Sequence, residues 1–229
     1  MKTITALLVM MLAISSLTAQ NELSRPDLPG ELMIDVGLNY LDETPEDLTQ
    51  RGWLSKSIGL YYTKRRVLGN RFAFNYGLGL GLEKLDFGSG QTLLEDGDDV
   101  VVGDFPFDAN DSPVAKNRLA LTYLDVPIEM RFYPRGTIEG EGLFVSVGGV
   151  AGLRLNAHTK WKYSEDGNDR VQKTSGSYDL NRIRYGYQVR FGYQKTHVFF
   201  KQYLSDVFNN PIDDSSPRMF TIGINFSGF

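Results

Sequence analysis

Apolar and polar residues take turns along most of this chain. Phe72, Phe74, Tyr76, Leu78, Leu80 and Leu82 share one parity, and Ala73, Asn75, Gly77, Gly79, Gly81 and Glu83 share the other. Ile183, Tyr185, Tyr187, Val189, Phe191 and Tyr193 alternate in the same way with Arg182, Arg184, Gly186, Gln188, Arg190 and Gly192. So do Leu124, Val126, Ile128, Met130 and Phe132 with Tyr123, Asp125, Pro127, Glu129 and Arg131, and Leu143, Val145, Val147, Ala151, Leu153 and Leu155 with Ser146, Gly148, Gly152, Arg154 and Asn156. A period of two marks strands whose faces meet different environments. Eight such segments are predicted, at roughly 31–41, 52–66, 71–85, 118–133, 142–163, 179–194, 197–206 and 218–229.

Alternation alone does not say which face is outside, because a soluble barrel or sandwich would turn the same apolar row inward. Three features turn it outward. The polar row is rich in glycine, as at Gly77, Gly79 and Gly81, which suits a crowded narrow lumen better than a water-facing strand. The apolar rows run for the about 9 to 11 residues that a tilted strand needs to cross a bilayer. Trp53, Tyr61, Tyr62, Tyr133, Trp161 and Tyr163 fall near segment ends, where membrane barrels carry aromatic girdles. The connections at 42–51, 86–117, 164–178 and 207–217 are long and those at 67–70, 134–141 and 195–196 short, an alternation expected of long extracellular loops and short periplasmic turns. The predicted fold is all-β, an eight-stranded antiparallel transmembrane β-barrel with up-and-down connectivity.

The N-terminal residues place the chain in the envelope. Met1-Lys2-Thr3 precedes an apolar run from Ile4 to Ile14 that ends in Ser15-Ser16-Leu17-Thr18-Ala19, the pattern of a secretory signal peptide cut after Ala19. Residues 1–19 are thus read as a signal peptide and 20–229 as the barrel domain. No other apolar run is long enough for a transmembrane helix. The absence of cysteine removes disulfides, lipidated cysteines and thiolate chemistry, and a net charge of -4 offers no footprint for nucleic acid.

The segment Tyr123-Leu124-Asp125-Val126-Pro127-Ile128-Glu129-Met130-Arg131-Phe132-Tyr133-Pro134 resembles the central strand of the outer-membrane β-barrel domain widespread in Bacteroidetes, the porin-family or PorT-like group. Tyr203-Leu204-Ser205-Asp206-Val207-Phe208 resembles that group's turn before the last strand. The resemblance implies the barrel, the outer membrane and a role as accessory to an envelope or secretion complex, but no functional residue. The C-terminus departs from the pattern: Phe220, Ile222, Ile224 and Phe226 are one register out from Phe229, so either Ser227-Gly228 is bulged or Phe226 serves as the terminal signal residue.

The inward row is expected to hold Asp35, Glu83, Asp125, Glu129, Arg131, Arg154, Arg182, Arg184, Arg190 and Lys201. In a barrel just wide enough for side chains to fill it, these should pair into a structural salt-bridge plug. Glu95-Asp96-Gly97-Asp98-Asp99, with Asp104, Asp108 and Asp111, and Asp42, Glu43, Glu46 and Asp47 in the first loop, predict an acidic, solvated outer surface; the spacing lacks the distal glutamate of an EF-hand loop, so no metal or cofactor is expected. Lys64, Arg65, Arg66, Arg71, Arg135 and Lys195 mark the periplasmic end, beside phospholipid headgroups. The expected protein is non-enzymatic, with a structural or protein-interaction role and with outer-membrane lipids, lipopolysaccharide and envelope proteins as partners. Two alternatives stay open: a narrow porin-like conduit for solutes or ions, and a lipid A-modifying enzyme. Of the two histidines, His197 follows a periplasmic turn and only His158, on the lumen parity near the outer end of its strand, could serve the latter.

Overall fold

The computed structural model describes residues 30–45, 48–88, 90–96, 99–105, 114–135, 142–165, 167–212 and 214–228. The signal-peptide residues 1–19, Glu46, Asp47, Asp98, Asp108, Asp111 and Phe229 lie outside them. The strands are β1 (Glu31–Leu41), β2 (Lys56–Val67), β3 (Phe72–Phe87), β4 (Thr92–Asp96), β5 (Asp99–Gly103), β6 (Val114–Phe132), β7 (Leu143–Glu165), β8 (Asn168–Ser175), β9 (Ile183–Tyr193), β10 (Thr196–Asp206) and β11 (Arg218–Ser227). Eight of them form the wall, each antiparallel to its neighbours, in the order β1-β2-β3-β6-β7-β9-β10-β11, and β11 returns to β1 in register from Met33 opposite Ser227 to Leu41 opposite Met219. Closure removes every sheet edge over that height, so the ladder satisfies its own backbone groups.

The expected eight-strand meander is the one observed. Two connections that read as plain loops carry further strands: β4 pairs β5 in a hairpin, and β8 pairs the outer half of β7 from His158 opposite Ser175 to Glu165 opposite Asn168. At the other end the turns are tight. Tyr193 faces Thr196 across Gln194-Lys195, with Gln194 in the left-handed region at φ 53, and Gly69 takes φ 91 between β2 and β3.

Outward positions are apolar and exposed along the lower and middle wall, among them Leu60, Leu80, Val126, Ile128, Val147, Val189 and Ile224. Phe226 continues the outward row of Phe220, Ile222 and Ile224 to the end of β11 at Ser227. The expected aromatic girdle needs correction. Trp53 and Tyr62 are exposed, but Tyr61, Tyr133 and Trp161 are buried at 2%, 1% and 5% exposure. Tyr61 and Tyr133 occupy inward parity, and Trp161 is turned inward by a bulge described below. Interfacial aromatics of the outward face are instead Tyr40 stacked on Phe220 and Phe72 against Phe132, with ring centroids 5.2 and 5.1 Å apart.

The interior is layered. At the short-turn end Ala73, Tyr133 and Phe144 pack together, and Phe144 meets His197 edge-on at 4.5 Å. Above lies a belt of charged side chains. Above that the interior turns apolar, with Leu85, Phe87, Leu93, Val100, Leu119, Leu121 and Leu180 in one buried cluster. The outer half is therefore a packed cap, closed over by the β4-β5 hairpin and by the segments after β8 and β10.

Candidate functional site

Eight charged side chains converge in the belt: the acids Asp35, Glu83, Asp125 and Glu129 and the bases Arg131, Arg184, Arg190 and Lys201, none more than 4% exposed. Four against four leaves no net charge. Arg190 grips Asp35 with both terminal nitrogens at 2.9 Å, and its Nε lies 3.2 Å from Glu129. Lys201 Nζ stands 3.4 Å from Asp35 and 3.3 Å from the Tyr61 hydroxyl. Arg131 donates to Glu129 at 2.6 Å. Arg184 donates to Asp125 at 3.1 and 2.7 Å and to Glu83 at 3.1 Å, while Asn39 donates to the other Glu83 oxygen at 2.8 Å. Every charge thus has an opposite partner, on another strand for all but Arg131, which pairs Glu129 within β6, and paired charge is the condition under which burial is tolerated.

The two segments that carry the sequence resemblance meet here. The Arg184 guanidinium lies 3.7 Å from the ring centre of Tyr123 and 4.4 Å from that of Tyr203, and its acid Asp125 is two residues from Tyr123. Tyrosine at both positions therefore clamps one arginine by cation–π contact. Glycine is required opposite it: a Cβ at Gly152 would stand 2.1 Å from an Asp125 oxygen, and one at Gly81 2.5 Å from both Asp125 and Arg184. Among the described residues, a cavity of about 10 Å³ bordered by Tyr61, Glu129, Gln188 and Arg190 lies within the belt, room for about one water.

Arg154 and Arg182, expected in this network, do not join it. Arg154 is half-buried at the rim, where it donates to the Ser177 carbonyl at 2.8 Å, and Arg182 is exposed just before β9. Both border an open cleft of about 510 Å³ in the wall where β9 stops and β8 has not yet begun to pair. His158 also departs from its expected face. Tyr123 pairs Arg154 but Thr122 pairs Asn156, so Leu155 is an extra residue in β7. Such a bulge reverses parity beyond it: Ala157, Thr159 and Trp161 are buried, while His158, Lys160 and Lys162 face outward. Nothing in the residue pattern marks the bulge, because apolar and polar residues alternate on both sides of it. Ser175 lies directly opposite His158, yet among the described residues no hydrogen bond joins them and no carboxylate orients the imidazole. His197 is 1% exposed and bonded to the Gln194 carbonyl at 3.0 Å at the periplasmic end.

The outer cap uses Asn117, Thr92 and Asp86, which the sequence pattern left unassigned, and two residues it placed elsewhere, Trp161 in the aromatic girdle and Glu95 on the solvated acidic surface. Asn117 donates to the carbonyls of Gly88 and Gln91 at 3.0 and 2.8 Å and accepts from Thr92 at 2.8 Å; the Trp161 indole donates to Thr92 at 3.0 Å. Glu95, from the acidic run, accepts the Tyr178 amide at 2.8 Å. Asp86 holds both Arg51 and Arg118.

A family model described as outer membrane protein beta-barrel domain matches residues 19–209. No curated protein matches the chain. Among solved structures, the attachment invasion locus protein Ail of Yersinia pestis is 16% identical over 88% of this chain and 100% of its own, with a TM-score of 0.37. Ail in complex with the heparin analogue sucrose octasulfate gives 15% and 0.33 over 88% and 100%. A mutant of the Rh. blastica porin gives 10% and 0.17, covering 87% of this chain and 98% of the porin.

Proposed function

Because the chain belongs to the outer membrane protein beta-barrel domain family and is an integral outer-membrane barrel, we propose that it works as a closed, non-enzymatic presenter of a folded outer cap to other envelope components. The observation that carries this is the lumen: a neutral, fully paired charge belt beneath a packed apolar cap serves neither passage nor chemistry. Conduction needs water or weakly held ion sites, and the charges of the belt are buried and held by one another, with a cavity beside them that has room for about one water. Catalysis needs a nucleophile or base oriented by a partner, and His158 has none among the described residues. What the barrel does offer is a rigid platform for the β4-β5 hairpin and the β7-β8 extension. The PorT-like resemblance of the Tyr123 and Tyr203 segments suggests that the partner is an envelope or secretion assembly of a Bacteroidetes-type cell. Residues 1–19 serve as the export signal and 20–229 as the barrel.

Photo-crosslinking in intact cells tests this. Val171 on β8 is 54% exposed and belongs to the cap, whereas Val147 is 60% exposed on the lipid-facing row. A photoreactive residue at 171 should yield a discrete protein adduct that the same residue at 147 does not. Absence of any protein adduct from 171 and from positions on β4-β5 would reduce the role to a structural one, and altered lipid A in a His158→Ala strain would make the chain an enzyme.

A further inference from the structure

On one wall the outward apolar row ends at Ile58 on β2, Leu82 on β3, Leu124 on β6 and Leu155 on β7, and cations begin immediately above. Lys56 lies directly opposite Lys84 across the β2-β3 pair. Lys84 is opposite Ala120, and Ala120 is opposite His158. One rung higher, Arg118, Lys160 and Lys173 stand side by side on β6, β7 and β8. Among the described residues, the anions paired on this wall are committed to other cations: Asp86 holds Arg51 and Arg118, and Asp169 holds Lys162 at 2.6 Å. Lys56, Lys84, Lys160 and Lys173 have no acidic partner among the described residues. Like charges directly opposite each other weaken a sheet, so this wall carries a penalty that an external anion would remove. The crowding has a local signature: Lys160 is lowered from its ordinary value by desolvation and then by Lys173, Lys116, Arg118 and Lys84.

Among the described residues the other wall has no such feature. At the outer ends of β1, β10 and β11 stand Tyr40, Gln202, Leu204 and Phe220, and Arg218 is neutralised by Asp206 at 2.8 Å. The cationic wall also runs into the 510 Å³ cleft where Arg182 is exposed beside Ser175 and Asn156. A band of unpaired cations at the upper limit of the hydrocarbon, beside a polar cleft wide enough for a sugar ring, matches one chemistry in an outer membrane, a phosphorylated glycolipid headgroup. We infer that the outward face of β2, β3, β6, β7 and β8 binds the phosphates of outer-leaflet lipopolysaccharide, with Lys56 and Lys84 converging on one phosphate and Lys160 and Lys173 on another. The inference rests on the outer-membrane placement and adds a lipid site to it.

The test uses the full chain refolded into phosphatidylcholine vesicles, with and without lipopolysaccharide, and reads the temperature at which the folded band is lost in heat-modifiability gels. Lipopolysaccharide should raise that temperature by several degrees, and lipopolysaccharide stripped of its lipid A phosphates should not. The combined variant Lys56→Gln, Lys84→Gln, Lys160→Gln, Lys173→Gln should fold at least as well in phosphatidylcholine alone and lose the lipopolysaccharide response. A Lys64→Gln, Arg66→Gln variant at the periplasmic end should keep it. Equal responses from the wild type and the four-lysine variant would overturn the proposal. So would protection by soluble heparin in place of lipopolysaccharide, which would make the wall a receptor for extracellular polyanions. Failure of the wild type to insert into either vesicle would overturn the membrane placement itself, a result readable apart from the headgroup response.

Discussion

At the scale of single residues, Arg184 is held by two carboxylates and two tyrosine rings. Replacing Arg184 with Met leaves Glu83 and Asp125 facing each other in a dry interior, and breaking such a buried set costs about 3–5 kcal/mol. Neutralising the acids as well, in Glu83→Gln, Asp125→Asn, Arg184→Met, should restore most of the loss, because the triple variant buries no lone charge. Urea unfolding in lipid vesicles checks both; a triple variant no more stable than the single one would mean that the cation–π stack on Tyr123 and Tyr203, and not charge pairing, holds the belt. His158 provides a pH-dependent case above the membrane-spanning band. Burial first, and then Lys173, Lys160 and Lys84, hold its imidazole below the ordinary value. The folded chain therefore resists a proton that the unfolded chain accepts near pH 6.5, so the neutral imidazole contributes stability that is complete above that pH and lost as the pH falls below it. His158→Gln should flatten the acid side of the stability curve, and NMR titration of His158 should give a midpoint below 6.5; a midpoint above it would require an acid beside the ring.

At the scale of elements, the barrel strands were legible because inward and outward positions alternate strictly over the depth of the bilayer, as in β3 and β9. The cap was not. Leu93 on β4 and Val100 on β5 are buried, but the acidic residues between them in sequence mask two strands of five residues each, too short to register. Leu155 was also opaque: a bulge inserts one residue without altering composition, and it alone decides that Trp161 enters the cap while Lys160 leaves it. Asn117 holds the start of this hairpin with three hydrogen bonds. Each is worth about 1 kcal/mol, so Asn117→Ala should loosen β4-β5 by roughly 2–3 kcal/mol without opening the barrel. In a Trp53→Phe background the emission of Trp161 should shift to the red while the heat-resistant gel mobility of the barrel persists. Loss of both together would mean that cap and barrel fold as one cooperative unit.

At the scale of the whole molecule, three layers share one narrow tube, and the boundary between charge belt and apolar cap falls at Tyr123 and Tyr203. The sequence predicts the belt from its inward parity, and eight of the ten expected charges meet there; Arg154, at the rim, donates instead to the Ser177 carbonyl, and Arg182 is exposed just before β9. A tube plugged by balanced charges should be electrically silent, and silence alone would not separate a plugged lumen from a protein that never inserted. Unbalancing the belt separates them. Arg190 is shared by Asp35 and Glu129, so Arg190→Ala removes a large side chain and leaves an excess negative charge at mid-depth, where water drawn into the void would stabilise the freed carboxylates. In planar bilayers the wild type should show no steady openings, and Arg190→Ala should show brief cation-selective events, since the uncompensated acids attract cations and repel anions. Anion-selective events would place the excess charge on Arg131 and Lys201 instead. Steady conductance in the wild type would make the chain a conduit and displace the cap from the centre of its function.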